Sequence, residues 1–162
     1  MVQCIVDCIG SASVMATIAV VDDSASIRKI FEYYLQDVGH RVVLAANGAE
    51  GLRLITEQAV DVALIDANMP GMHGLAVLSA LKANASTQGV PVVLMTACVS
   101  QDLVHRALAA GALEVLAKPF DVVAVEAMLR RHADAASAAR GMRPEPGPAF
   151  GIDRQRAPVD RN

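Results

Sequence analysis

The sequence predicts a doubly wound α/β domain with a parallel five-stranded sheet, and three observations lead there. Apolar strand-like runs at Ile18 to Val21, Val42 to Ala45, Val60 to Ile65, Val90 to Met95 and Val115 to Leu116 alternate with segments of helical period. Apart from Asp61, the runs are apolar instead of alternating, as expected of parallel strands covered by helices on both faces. A chain of 162 residues with 54% hydrophobic and 19% charged residues supplies one well-packed core and hardly two.

Each element has a local justification. After the first run, SIRKIFEYYLQDVG sets Ile27, Ile30, Phe31, Tyr34, Leu35 and Val38 on one helical face, and Gly39 stands where a helix ends. After the second, Asn47 followed three residues later by Glu50 makes a capping-box-like start for GAEGLRLITEQ. Gly74 opens the third helix, Ser100 caps QDLVHRALAAG, and Asp121 caps VVAVEAMLRRH.

Charge and cysteine content exclude several function classes. The net charge is −3, and lysine occurs only at 29, 82 and 118, so no basic stripe exists to attract nucleic acid. Cys4, Cys8 and Cys98 are too few and too irregular for a disulfide framework or a four-ligand metal site, which suits a reducing cytoplasm. The N-terminal MVQCIVDCIGSASV lacks the positive leading segment of a signal peptide and is too short and polar to span a bilayer. Residues 1–15 are expected to form a weakly ordered extension, or else Met15 is the native start.

The acids carry the functional signal. TIAVVDDS ends on Asp22 and Asp23, and VALIDANMP reaches Asp66 after a second apolar run. In a doubly wound sheet, ligands bind beyond the carboxyl ends of the strands. Thr96 and Lys118 follow the fourth and fifth runs in the same way. Any one of these is an ordinary cap or turn residue, but recurrence at the same end of four strands is a poor accident. Two carboxylates about 4 Å apart repel by roughly 4 kcal/mol at the effective permittivity near a protein surface, so a proton or a cation is recruited. A hard divalent ion suits the oxygens, and Mg2+ suits a sparse site, because it uses one or two carboxylates with phosphate oxygens and keeps several waters. Acid, metal and lysine together make a phosphoryl-transfer site.

At these residues the chain resembles the receiver domains of two-component response regulators. VVDDS, DANMPGMHG, VVLMTA and GALEVLAKPF are similar, in order and spacing, to that family's acidic pair, phospho-acceptor, switch threonine and lysine-proline motifs. The resemblance covers roughly residues 16 to 132 and is nearest to the stand-alone, chemotaxis-type receivers. It implies a flavodoxin-like fold with strand order 2-1-3-4-5. It also implies that Asp66 accepts a phosphoryl group from a sensor histidine kinase or phosphotransfer protein. Asp23 would bind magnesium directly and Asp22 mostly through water, with Asp66 and the backbone carbonyl of Asn68 completing the set. Lys118 would pair with a phosphoryl oxygen ahead of a cis bond to Pro119. Thr96, followed by Ala97, would carry the signal to a downstream protein through the face of the fourth helix, fifth strand and fifth helix.

The chain departs from that pattern at Val115, where the family places a switching aromatic three residues before the lysine; a less binary switch is expected. Cys98 reads as a small apolar filler. His40, His73, His105 and His132 have no metal-ligand spacing and read as surface or packing residues, and Met69, Met72 and Met95 as loop and core fillers. Residues 16–133 form the receiver-like domain, and 134–162 a helix extension and a Pro-rich disordered tail. No DNA-binding or catalytic output segment is legible in that tail, so output is expected through another protein. The chain therefore reads as a cytoplasmic signalling module, not an enzyme, with neither nucleic acid nor membrane as partner. Two rivals remain: a receiver-like scaffold that binds partners without phosphorylation, and an aspartyl-phosphate phosphohydrolase. The second needs an acid two residues after the nucleophile, where Asn68 cannot donate a proton.

Overall fold

The computed structural model describes residues 15–140, and side chains through 132. Strands β1 (Thr17–Val21), β2 (Arg41–Ala45), β3 (Val62–Asp66), β4 (Val92–Thr96) and β5 (Glu114–Ala117) alternate with helices α1 (Ala25–Asp37), α2 (Gly48–Glu57), α3 (Gly74–Ala83), α4 (Gln101–Ala109) and α5 (Val122–Arg140). All pairings are parallel, in the order β2-β1-β3-β4-β5. The expectations for residues 1–14 and for the tail from 141 onward lie outside the described residues.

The absence of polar alternation is explained by two cores, one on each face of the sheet. Ala19, Val21, Ala63, Ile65, Val92 and Leu94 meet α2, α3 and α4 residues such as Ile55, Val77 and Ala107. Their neighbours Ile18, Val20, Val62, Leu64, Val93 and Met95 meet Phe31 and Leu35 of α1 and Leu129 of α5. Successive side chains point to opposite faces, so both sets must be apolar. The edge strand β5 is only half-buried.

The local signals act as read. Gly39 and Gly111 take positive φ of 92° and 94°, the left-handed conformation in which a Cβ is costly. Each closes a helix by the same paired bonds: Gly39 N to Gln36 O and His40 N to Leu35 O, then Gly111 N to Leu108 O and Ala112 N to Ala107 O. Asn47 accepts from the Glu50 amide at 2.9 Å, while Glu50 reaches back to the Ala46 amide at 2.8 Å. Ser100 accepts from the Leu103 amide, and Asp121 from the Val123 amide.

Several expectations need correction. β3 and β4 start at Val62 and Val92, not at Val60 and Val90. Val60 and Val90 are turn residues whose amides bond back to Gln58 and Thr87, so their apolar character serves packing rather than the ladder. Ile30 is 48% exposed on the outer side of α1, because the buried stripe is narrower and runs through Phe31 and Leu35. Cys98 is exposed and fills nothing. His40 is a packing residue of an unforeseen kind: it is buried, its Nδ1 accepts from the Ala16 amide at 3.4 Å, and its Nε2 faces Glu126 at 3.4 Å.

Candidate phosphoryl-transfer site

Parallel order makes the site, because every strand ends on the same rim. Asp66 closes β3 and Thr96 closes β4, while Asp22 and Lys118 each stand one residue beyond β1 and β5. The backbone pins the last two in place: the Asp22 amide donates to Ala45 O at 3.1 Å and the Lys118 amide to Thr96 O at 2.7 Å. Asp22 and Thr96 are fully buried, Asp66 is 5% exposed, and Asp23 faces solvent.

Lys118 Nζ donates to Asp22 Oδ2 at 2.7 Å and to Asp66 Oδ2 at 3.1 Å. Each acid uses its other oxygen locally, Asp22 Oδ1 accepting from the Ser24 amide at 2.8 Å and Asp66 Oδ1 from the Asn68 amide at 3.1 Å. These matching turns fix both carboxylates before any ligand arrives. Carboxylate oxygens of Asp22, Asp23 and Asp66 lie within 4.8 Å of one another. Such an all-oxygen donor set, with one exposed member, fits a hard divalent cation. The Lys118–Pro119 peptide is cis, and Phe120 stacks on Phe31 with ring centroids 5.3 Å apart, tying that loop to α1.

Thr96 does not point at an empty pocket. Its hydroxyl donates to Cys98 O and accepts from the Cys98 amide and from Asn68 Nδ2, all at 3.1 Å. Ala97 follows it in an exposed segment, and Val115 is half-buried opposite Leu94 in the ladder, against the core on the α2–α4 side. Sequence reasoning missed Arg28, whose Nη1 donates to Asp22 O at 2.6 Å. A signal existed, for a cation in the first turn of a helix opposes the macrodipole and wants a reason.

Burial presses the Lys118 ammonium toward neutrality, but the hydrogen bonds and charges of Asp22 and Asp66 outweigh it and hold its pKa above the ordinary lysine value. A raised lysine contributes its full stability below the unfolded value of about 10.4 and loses it only as pH climbs through the folded one. This contribution is therefore flat through neutrality. Lys118→Ala strips the cation from two buried carboxylates, and we expect a loss of about 2 kcal/mol at pH 7, discounted from the fully buried case for the lysine's partial exposure. Urea titration of both proteins at pH 7 checks this, and an unchanged midpoint would contradict it.

Comparison with known proteins identifies the family. Residues 18–130 match the response regulator receiver domain family. The chain is 39% identical over 112 residues to the DNA-binding transcriptional regulator NtrC of Escherichia coli, covering 69% of this chain but about a quarter (24%) of that protein. It is 33% identical over 113 residues to the probable chemotaxis protein CheY of Rhizobium etli, covering 69% of this chain and 88% of that one. The receiver domain of the sensor histidine kinase PA1611 from Pseudomonas aeruginosa, solved with a magnesium ion in its active site cleft, superposes with a TM-score of 0.68 at 28% identity, covering 74% and 98% of the two chains. With residues 18–130 matching the family model and the sheet order that of its fold, this chain belongs to the response regulator receiver family of two-component systems.

Proposed function

We propose that this chain accepts a phosphoryl group on Asp66 from the phosphohistidine of a sensor histidine kinase or phosphotransfer protein, and signals by a phosphorylation-dependent contact with another protein. The observation that carries the reading is Lys118 Nζ bridging Asp22 and Asp66, with the Thr96 hydroxyl buried on the adjoining strand. An Asp66 carboxylate oxygen attacks phosphorus, the new O–P bond replacing the P–N bond, and the leaving imidazole takes up a proton. Lys118 is already within reach to neutralise charge on the transferred oxygens. Water attack on the acyl phosphate later releases phosphate and restores the carboxylate.

Magnesium is the fitting cofactor. Asp23, Asp22, Asp66 and the backbone carbonyl of Asn68 would hold it, Asp22 mostly through water. When bound, it supplies positive charge against the phosphoryl oxygens. No helix among the described residues is long and apolar enough to cross a membrane.

The test is incubation with a small acyl phosphate, with and without Mg2+, followed by intact mass. One added phosphoryl group per chain, dependent on the metal and removed by hydroxylamine, is expected. An unlabelled protein would leave the scaffold reading instead.

The signal would leave through α4, β5 and α5. Leu108 of α4, Leu113 just ahead of β5 and Val123 of α5 are 49%, 38% and 57% exposed, apolar side chains open to a protein partner. Val115 offers no ring to swing between inner and outer positions. Val115→Tyr should therefore extend the amide shifts caused by a phosphoryl mimic across α4 and α5, as read by two-dimensional NMR with fluoroberyllate. An unchanged set of shifted amides would remove Val115 from the switch.

A further inference from the structure

The Thr96 hydroxyl has one proton to give and two lone pairs to fill, and all three are already in use. Its proton lies on the Cys98 carbonyl, so it has none for a phosphoryl oxygen until that bond breaks. Both Cys98 bonds are local, made within the same strand end. The third bond crosses from another loop 28 residues away, where Asn68 donates through Nδ2. Since the hydroxyl proton is committed to Cys98, the carboxamide must present its nitrogen. The same Asn68 donates its backbone amide to Asp66 Oδ1. One residue thus grips the acceptor by its main chain and the threonine by its side chain.

We propose that the Asn68 carboxamide is a positioning group that latches Thr96 in the resting conformation, so that its strength sets how readily the acceptor site pulls the threonine inward. This rests on the reading of Asp66 as acceptor and Thr96 as the responding hydroxyl. Thr96 is fully buried, so its bonds are not exchanged freely with water, and the bond from Asn68 resists each inward excursion. A side chain two residues past the acceptor then tunes the switch through a bond made before any phosphoryl group arrives.

The experiment is a double-mutant cycle read by fluoroberyllate binding in the presence of Mg2+, followed through the Thr96 and Cys98 amide resonances. Asn68→Ala removes one neutral hydrogen bond and should tighten apparent binding about fivefold. Without the mimic, the two resonances should move part of the way toward their bound positions. Thr96→Val keeps the shape and deletes the hydroxyl, so on that background Asn68→Ala should change nothing. Equal or weaker binding by Asn68→Ala overturns the latch, as does a gain that persists on the Thr96→Val background, because the effect would then come from emptied space. A wild type that binds no fluoroberyllate overturns the acceptor reading together with the latch, whereas failure confined to the variants overturns the latch alone.

Discussion

Asp66→Asn is expected to abolish acyl-phosphate labelling, with a fall of more than about 100-fold, while leaving the fold intact. The carboxamide has the carboxylate's shape and can still turn its oxygen toward Lys118, but it cannot attack phosphorus. Stability should move the other way. With one oxygen from each of three carboxylates within 4.8 Å of the others, each pair costs on the order of 3 kcal/mol at an effective permittivity of 20, and one lysine offsets only part. Removing one charge should raise metal-free stability by about 1 kcal/mol at pH 7 and reduce the stabilisation that Mg2+ gives the wild type. Intact mass and thermal melts with and without Mg2+ decide both halves. Labelling at the wild-type rate would put the nucleophile elsewhere.

Gly74→Ala should be the most damaging of the small substitutions. A Cβ at Gly74 would overlap the Asp66 carbonyl oxygen and stand 2.8 Å from Ala67 Cα. These are backbone atoms at the end of β3 and cannot swing aside. Helix propensity favours alanine by about 1 kcal/mol, but overpacking against backbone costs about 3, so the clash wins. The helix must shift or the Asp66 peptide must turn, and a displacement of about 1 Å at a reacting group costs roughly 100-fold in rate. Gly89→Ala is the control, with open space around the new methyl and no positive φ. It should be neutral or stabilise by up to about 1 kcal/mol. Urea midpoints and labelling rates should separate the two variants, and equal behaviour would mean that α3 is not held against the end of β3.

The local chemistry of the chain was enough to lay out the fold. Uninterrupted apolar runs imply a sheet covered twice, Asn47, Ser100 and Asp121 cap with their own side chains, and Gly39 must adopt a conformation that other residues avoid. The rim of acids was legible for the same reason, since parallel strands all end on one side. Strand starts were less legible, because Val60 and Val90 are as apolar as ladder residues yet serve turns.

What tertiary structure alone decided are contacts between residues far apart in the chain. His40 is buried against Glu126 from α5, at a separation of 86 residues, and Ile30 is exposed because only a narrow stripe of α1 meets the sheet. The Asn68 carboxamide on the Thr96 hydroxyl, 28 residues further on, belongs to the same class, and the exposure of Cys98 likewise follows from the loop that carries it. Composition and period report which residues want burial, a property each carries by itself. Which donor meets which acceptor depends on how two loops are held at the ends of neighbouring strands, and no stretch of either loop contains that information.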